Sequence, residues 1–122
     1  MSNERMLLGR WGEQLAAQRL LAAGYSILAR NVRFPAAELD IVARDGEILV
    51  FVEVRTRSGR RQGTAAESIT WRKRQKLRQA ALCFLQQQKQ EGYRQIRFDV
   101  VCVTMANGGN GMPRIEHIVN AF

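Results

Sequence analysis

Histidine occurs once and cysteine twice in this chain of 122 residues. No zinc ligand pattern appears among them. Cys83 and Cys102 form neither a CxxC pair nor a disulfide framework, which favours a reducing compartment. Both stand among apolar neighbours and read as small buried hydrophobes. No stretch approaches the length of a membrane span, and the opening MSNERMLLGRWGEQ has no apolar h-region. A cytoplasmic protein without a membrane partner is therefore expected. An RNA-recognition aromatic pair and a helix-turn-helix pattern are also missing, so base-specific readout is not supported. Gly108, Gly109 and Gly111 are not followed by Lys-Ser/Thr and make no phosphate loop. His117, the single histidine, is read as a packing or surface residue. Trp11 and Trp71 are read as core or edge aromatics, with stacking of Trp71 on bases as the lesser alternative.

The chain does have a core and a charge. Its apolar fraction of 46% and charged fraction of 25% are ordinary for one globular domain spanning residues 1–122. The net charge of +8 is not ordinary. Nine basic residues lie between Arg55 and Arg78, against the single acid Glu67, so this segment carries the whole excess. Such a concentration favours polyanions, with nucleic acid first and an anionic membrane surface second.

Periodicity and breakers give the element order. A helix is expected from about Asn3 to Ala23, stopped by Gly24, then a strand over Tyr25–Asn31. Two further strands follow in the stretch from Ala36 to Arg57. The Gly-, Ser- and Arg-rich residues of about 57–67 read as a mobile basic loop. A long helix is expected over Ile69–Glu91, a strand over Gln95–Thr104 and a short strand over Arg114–Val119. The order α-β-β-β-α-β-β suits one mixed sheet, including an antiparallel hairpin, flanked by helices: an α/β fold.

The stretch from Ala36 to Arg57 carries the chemistry. Asp45-Gly46 is a tight-turn signal between two apolar, β-branched runs. Centring the turn there pairs Arg44 with Glu47, Asp40 with Phe51 and Glu38 with Glu53. By alternation, one face collects Leu39, Ile41, Ala43, Ile48, Val50, Val52 and Val54 without a polar member. The other collects Glu38, Asp40, Glu53 and Arg55. Like charges facing each other across a sheet are destabilising, and a bound cation is the simplest offset.

Helix one adds a fourth acid. Gly9, Gly12, Glu13, Ala16 and Leu20 share one side at three- and four-residue spacing. Glycines inside a helix each cost up to about 1 kcal/mol, which suggests a close backbone approach there. Spacing leaves two readings of Glu13, one pointing inward and one a boundary residue paired with Arg10 or Arg19. In the second helix Arg72, Lys73, Arg74, Lys76 and Arg78 occupy the first turns, where the macrodipole disfavours cations. With Arg57, Arg60 and Arg61 of the adjoining loop, they read as a phosphate-binding surface rather than a solvated charged face. Asp99 alternates with Arg97 on a strand and reads as its structural ion-pair partner, with a place near the acidic site as the alternative.

Several short motifs occur in order along nearly the whole chain. They are Gly9-x-x-Gly12-Glu13, Gly24-Tyr25, Arg30-Asn31, Glu38-Leu39-Asp40, Phe51-Val52-Glu53-Val54-Arg55-x-Arg57, Lys73-x-x-Lys76-Leu77, Arg97-Phe98-Asp99-Val100-Val101 and Asn120-Ala121-Phe122. Together they resemble the UPF0102 (YraN-like) family, which is similar to archaeal Holliday junction resolvases of the PD-(D/E)xK nuclease superfamily. The resemblance implies a restriction-endonuclease-like core. It also implies a metal-dependent, structure-selective DNA endonuclease that acts on branched or junction-containing DNA, with a homodimer by analogy. It maps Asp40 and Glu53 onto the two motif acids, Arg55 onto the motif lysine and Glu13 onto the helix-one glutamate of the resolvases, with Glu38 as an auxiliary acid. Ala37 stands where the family usually has glycine.

Phosphodiester hydrolysis explains why such a site needs these residue types. Mg²⁺ or Mn²⁺ takes hard oxygen ligands and is held by one or two carboxylates together with water and phosphate. The metal set expected here is Glu13, Asp40 and Glu53. A bound ion lowers the pKa of its water and offsets charge on the phosphate. Arg55 can clamp a phosphate but stays protonated, so it cannot act as a base. Two alternatives follow. One is a non-catalytic nucleic-acid-binding protein on a nuclease scaffold. The other is a basic protein that docks on acidic proteins or anionic membranes, against which the inward acids argue.

Overall fold

Helix α1 (Asn3–Ala22) opens the chain, and the left-handed Gly24 (φ 93°) turns it into strand β1 (Ser26–Arg33). Strands β2 (Glu38–Asp45) and β3 (Ile48–Ser58), helix α2 (Trp71–Gln87) and strands β4 (Gln95–Met105) and β5 (Arg114–Ile118) follow. The computed structural model describes residues 3–58, 67–89, 91–105 and 111–122, and within these the side chains other than those of residues 3–5 and 58. The expected basic loop of about 57–67 falls largely on residues 59–66, and Arg60 and Arg61 lie outside the described residues.

The five strands lie in the order β1-β2-β3-β4-β5. Every neighbouring pair is antiparallel except β3 and β4, which run parallel with α2 between them in sequence. This is a mixed α/β sheet between helices, consistent with a restriction-endonuclease-like core. On one face, Ala16, Ala17 and Leu20 of α1 pack on Ile41, Val50 and Val101. On the other, Leu77, Ala81 and Phe84 of α2 pack on Val42, Phe51 and Val100. No helix among the described residues is long and apolar enough to cross a membrane.

Three expectations need correction. The first concerns the hairpin register, in which Asp45 pairs with Ile48, Arg44 with Leu49 and Val42 with Phe51. The turn is therefore Gly46-Glu47, two residues out of step in summed register with the expected pairing. Only Gly46 (φ 59°) is left-handed there, as a turn with glycine at its first central position requires. Centring on Asp45-Gly46 would have forced Asp45 out of the strand. Because the shift is by two, the side chains of the paired stretch from Ile41 to Val52 keep their faces. The second concerns α2, which begins at Trp71 rather than Ile69. Thr70 caps it, its Oγ1 accepting the Lys73 amide at 3.1 Å. The helix ends at Gln87, where Gln88 (φ −121°) is already extended, well before Gly92.

The third concerns the helix-one glycines. A Cβ on Gly12 would overlap Oγ1 of Thr56 in β3, whereas one on Gly9 would meet nothing within 4 Å among the described residues. Gly12 thus marks the close approach of α1 to the sheet, against a side chain rather than a backbone. Gly9 faces an open cleft.

Candidate metal and nucleic-acid site

Strand β2 leaves β3 at Asp40, and the acidic site forms at that departure. The last paired positions are Ile41 and Val52. Beyond them, the Val54 amide donates to Asp40 Oδ2 at 2.9 Å instead of to a backbone carbonyl. Alternation breaks at the same point. Leu39 packs with Val42 and Phe51 on the α2 side, although alternation from Ile41 would place it on the α1 side. Asp40 thereby comes beside Glu53, which is only 7% exposed. Burial raises the Asp40 pKa to about 8, aided by the charge of Glu53, a hydrogen bond shared with Glu53 and the charge of Glu13, against the opposing Val54 amide. In the absence of a cation, Asp40 holds a proton near neutral pH.

Asp40 also belongs to a second group. Carboxylate oxygens of Glu13, Glu38 and Asp40 lie within 4.8 Å of one another. Glu13 therefore turns toward the sheet acids, and Asn31 is its hydrogen-bond partner. Asn31 is in the left-handed region (φ 53°), and its Nδ2 donates to Glu13 Oε1 at 2.8 Å and to Glu38 Oε1 at 3.0 Å. Of the expected metal set, Glu13 and Asp40 are brought together with Glu38, and Glu53 joins through Asp40. The donors fit Mg²⁺ or Mn²⁺: all are hard carboxylate oxygens, and the central one is costly to ionise without a neighbouring positive charge.

Arg55 reaches Glu53 at 3.5 Å between Nη2 and Oε2. Its Nε is buried and has no hydrogen-bond partner among the described residues. A buried donor in that state costs about 1–3 kcal/mol unless an acceptor arrives. A phosphate oxygen would supply one.

The basic residues of α2 divide into two sides. Lys73 and Lys76 line a cleft of about 650 Å³ with Arg33 and the Phe34–Glu38 connection. A second cleft of about 470 Å³, lined by Gly9, Arg10, Glu13 and Asn31, also includes Glu38. Both clefts are lined by Glu38, so basic side chains stand close to one edge of the acidic group. Arg74 and Arg78 turn the other way, their guanidiniums 5.4 and 5.6 Å from the centre of the Phe122 ring. Phe122 also stacks on Phe98 at 5.1 Å and, with Leu77, Asp40 and Glu53, lines a small cavity. Arg72 is exposed, and Arg57, partly buried, lies near the end of β3.

Asp99 forms the expected ion pair with Arg97, with Nε 2.8 Å from Oδ1 and Nη2 2.9 Å from Oδ2. The same carboxylate accepts from His117 Nε2 at 2.7 Å and from the Asn120 amide at 3.0 Å, while Arg97 also donates to the Tyr25 hydroxyl. Burial would raise the Asp99 pKa, but the hydrogen bonds from His117, Arg97 and Asn120, with the Arg97 charge, hold it below the usual carboxylate range. Since Asp99 stays ionised, His117 Nε2 carries the proton. Sequence reasoning did not assign roles to Arg33, Asn31 or Phe122. A left-handed conformation is tolerated by Asn, and that was the one local signal available for Asn31.

The model of a family described as "Uncharacterised protein family UPF0102" matches residues 12–103. The chain is 46% identical over 122 residues to a UPF0102 protein of Pelotomaculum thermopropionicum, covering all of both chains. It is 46% identical over 119 residues to one of Nocardia farcinica, covering 98% of this chain and 91% of that protein. To a third, of Symbiobacterium thermophilum, it is 48% identical over 115 residues, covering 94% of this chain and 95% of that protein.

Proposed function

We propose that this chain, which belongs to the UPF0102 family, is a metal-dependent, structure-selective DNA endonuclease. The observation that carries the reading is the place of Asp40. It shares one site with Glu53 on one side and with Glu13 and Glu38 on the other, and Glu38 in turn lines a cleft with Arg33, Lys73 and Lys76. A structural protein gains nothing from four carboxylates gathered around a group that resists ionisation. A phosphodiesterase gains a seat for a divalent cation.

Glu13, Asp40 and Glu53 would hold Mg²⁺ or Mn²⁺, with Glu38 beside them. The ion supplies a water activated near neutral pH and charge stabilisation at the phosphorus. The chain's own groups do the rest. Lys73, Lys76 and Arg33 draw in the sugar-phosphate strand, and the Arg55 guanidinium takes a phosphate oxygen through its unbonded Nε–H. Asn31 holds Glu13 and Glu38 in place for the cation. Cutting both strands of a branched substrate fits a pair of copies.

The deciding experiment incubates labelled junction, flap and linear duplex DNA with the protein, with and without Mn²⁺, beside Asp40→Asn and Glu53→Gln. Cleavage of branched DNA that needs the metal and falls at least about 100-fold in both variants is the expected result. Equal products from wild type and variants would sink the site. Arg55 favours one second reading, a nucleic-acid-binding protein without turnover, because the residue cannot accept a proton. Salt-sensitive binding that survives both substitutions, with no cleavage under any metal, would select that reading.

A further inference from the structure

Trp71 is 75% exposed, whereas Phe34, Phe51, Phe84, Phe98 and Tyr25 are all buried. It belongs to neither core cluster, contrary to the expectation of a core or edge aromatic. Its backbone is nonetheless fixed. It is the first residue of α2, directly after the Thr70 cap, and the Arg74 amide closes the first turn on the Thr70 carbonyl at 2.9 Å. At about 3.6 residues per turn, Trp71 falls between two basic sides of the helix, with Arg72 and Lys76 on one hand and Arg74 and Arg78 on the other. It stands six residues, about 9 Å of helix, before Leu77, which lines the same small cavity as Asp40 and Glu53.

A large, flat, apolar ring on a rigid helix end, framed by cations, matches one class of ligand. Nucleic-acid bases stack on aromatic faces while the neighbouring phosphates meet the basic side chains. Bases inside a continuous duplex are already stacked and offer no free face. We propose that Trp71 is a stacking platform for an unpaired base near the phosphate under attack, so that the preferred substrates carry a splayed or single-stranded segment. This rests on the nuclease reading and deepens it, because it assigns the structure selectivity to a residue outside the acidic site.

Binding is measured without turnover, in EDTA, by titrating Trp11→Phe protein, in which Trp71 is the single tryptophan, with flap DNA and with continuous duplex of equal length. Flap DNA should quench the Trp71 emission and duplex should leave it unchanged. Trp71→Ala should weaken flap binding about tenfold with no change for duplex, and Trp71→Phe should restore most of the loss. Because the ring is exposed, both variants should melt at the wild-type temperature. An equal effect of Trp71→Ala on flap and duplex, or no effect on either, overturns the stacking role while leaving the nuclease reading intact. Wild type that binds neither DNA overturns both.

Discussion

Asp40 is the residue in which folding and the proposed function conflict. Its ordinary pKa of 3.8 applies in the unfolded chain, and in the fold it rises to about 8. Between those values the folded state binds more protons, so the contribution of Asp40 to stability is full below about pH 4 and is lost as the pH climbs through 8. In EDTA, raising the pH from 5 to 8.5 should cost wild type on the order of 4 kcal/mol, a drop of about 15 °C in melting temperature. Asp40→Asn, which keeps an acceptor for the Val54 amide, should flatten that dependence, and Mn²⁺ should restore the wild type at high pH. A wild-type melting temperature that does not change with pH in EDTA would contradict the arrangement. Residue types in this site were legible because unpaired carboxylates in an apolar strand pair have few bland explanations. The central place of Asp40 was not legible. It depends on β2 departing from β3, which no alternation rule contains.

Elements were legible wherever local chemistry decides them. Gly24 stops α1, Gly46 makes the turn, and period-two patterning gives the strands. What failed was the exact turn position and the ends of α2, because cap and turn geometry select among neighbouring residues that composition cannot rank. The two helix-one glycines show the same limit: equal in sequence, they differ in what faces them. Gly9→Ala should stabilise the fold by up to about 1 kcal/mol, since its Cβ meets open space. Gly12→Ala should destabilise it by about 1–2 kcal/mol through overlap with Thr56. In a Thr56→Ala background the Gly12→Ala change should become neutral or stabilising. Urea unfolding of the four variants and wild type measures this, and a Gly12→Ala cost that Thr56→Ala leaves untouched would refute the contact.

At the scale of the whole molecule, residues 117–122 tie the two faces of the sheet together. His117 and the Asn120 amide bind Asp99, the Ala121 amide donates to the Phe98 carbonyl at 2.7 Å, and Phe122 reaches α2. Phe122→Ala should lower stability by about 1–2 kcal/mol and also weaken DNA binding by freeing Arg74 and Arg78. Phe122→Tyr should preserve both properties. A denaturant midpoint and DNA affinity unchanged in Phe122→Ala would remove the tie from the account. The sequence hid this connection because it spans elements far apart in the chain.

The parallel β3–β4 pairing joins Ile48 to Gln95, far along the chain, whereas the β2–β3 hairpin closes across two residues. Local contacts form early in folding and distant ones late. On that order Asp40 and Glu53 should meet while the hairpin is still wet, and their mutual repulsion should become severe only when β4 arrives and α2 seals the layer. A cation bound at the proposed site at that moment would act on the folding barrier itself, as an aid to the nascent chain before any reaction.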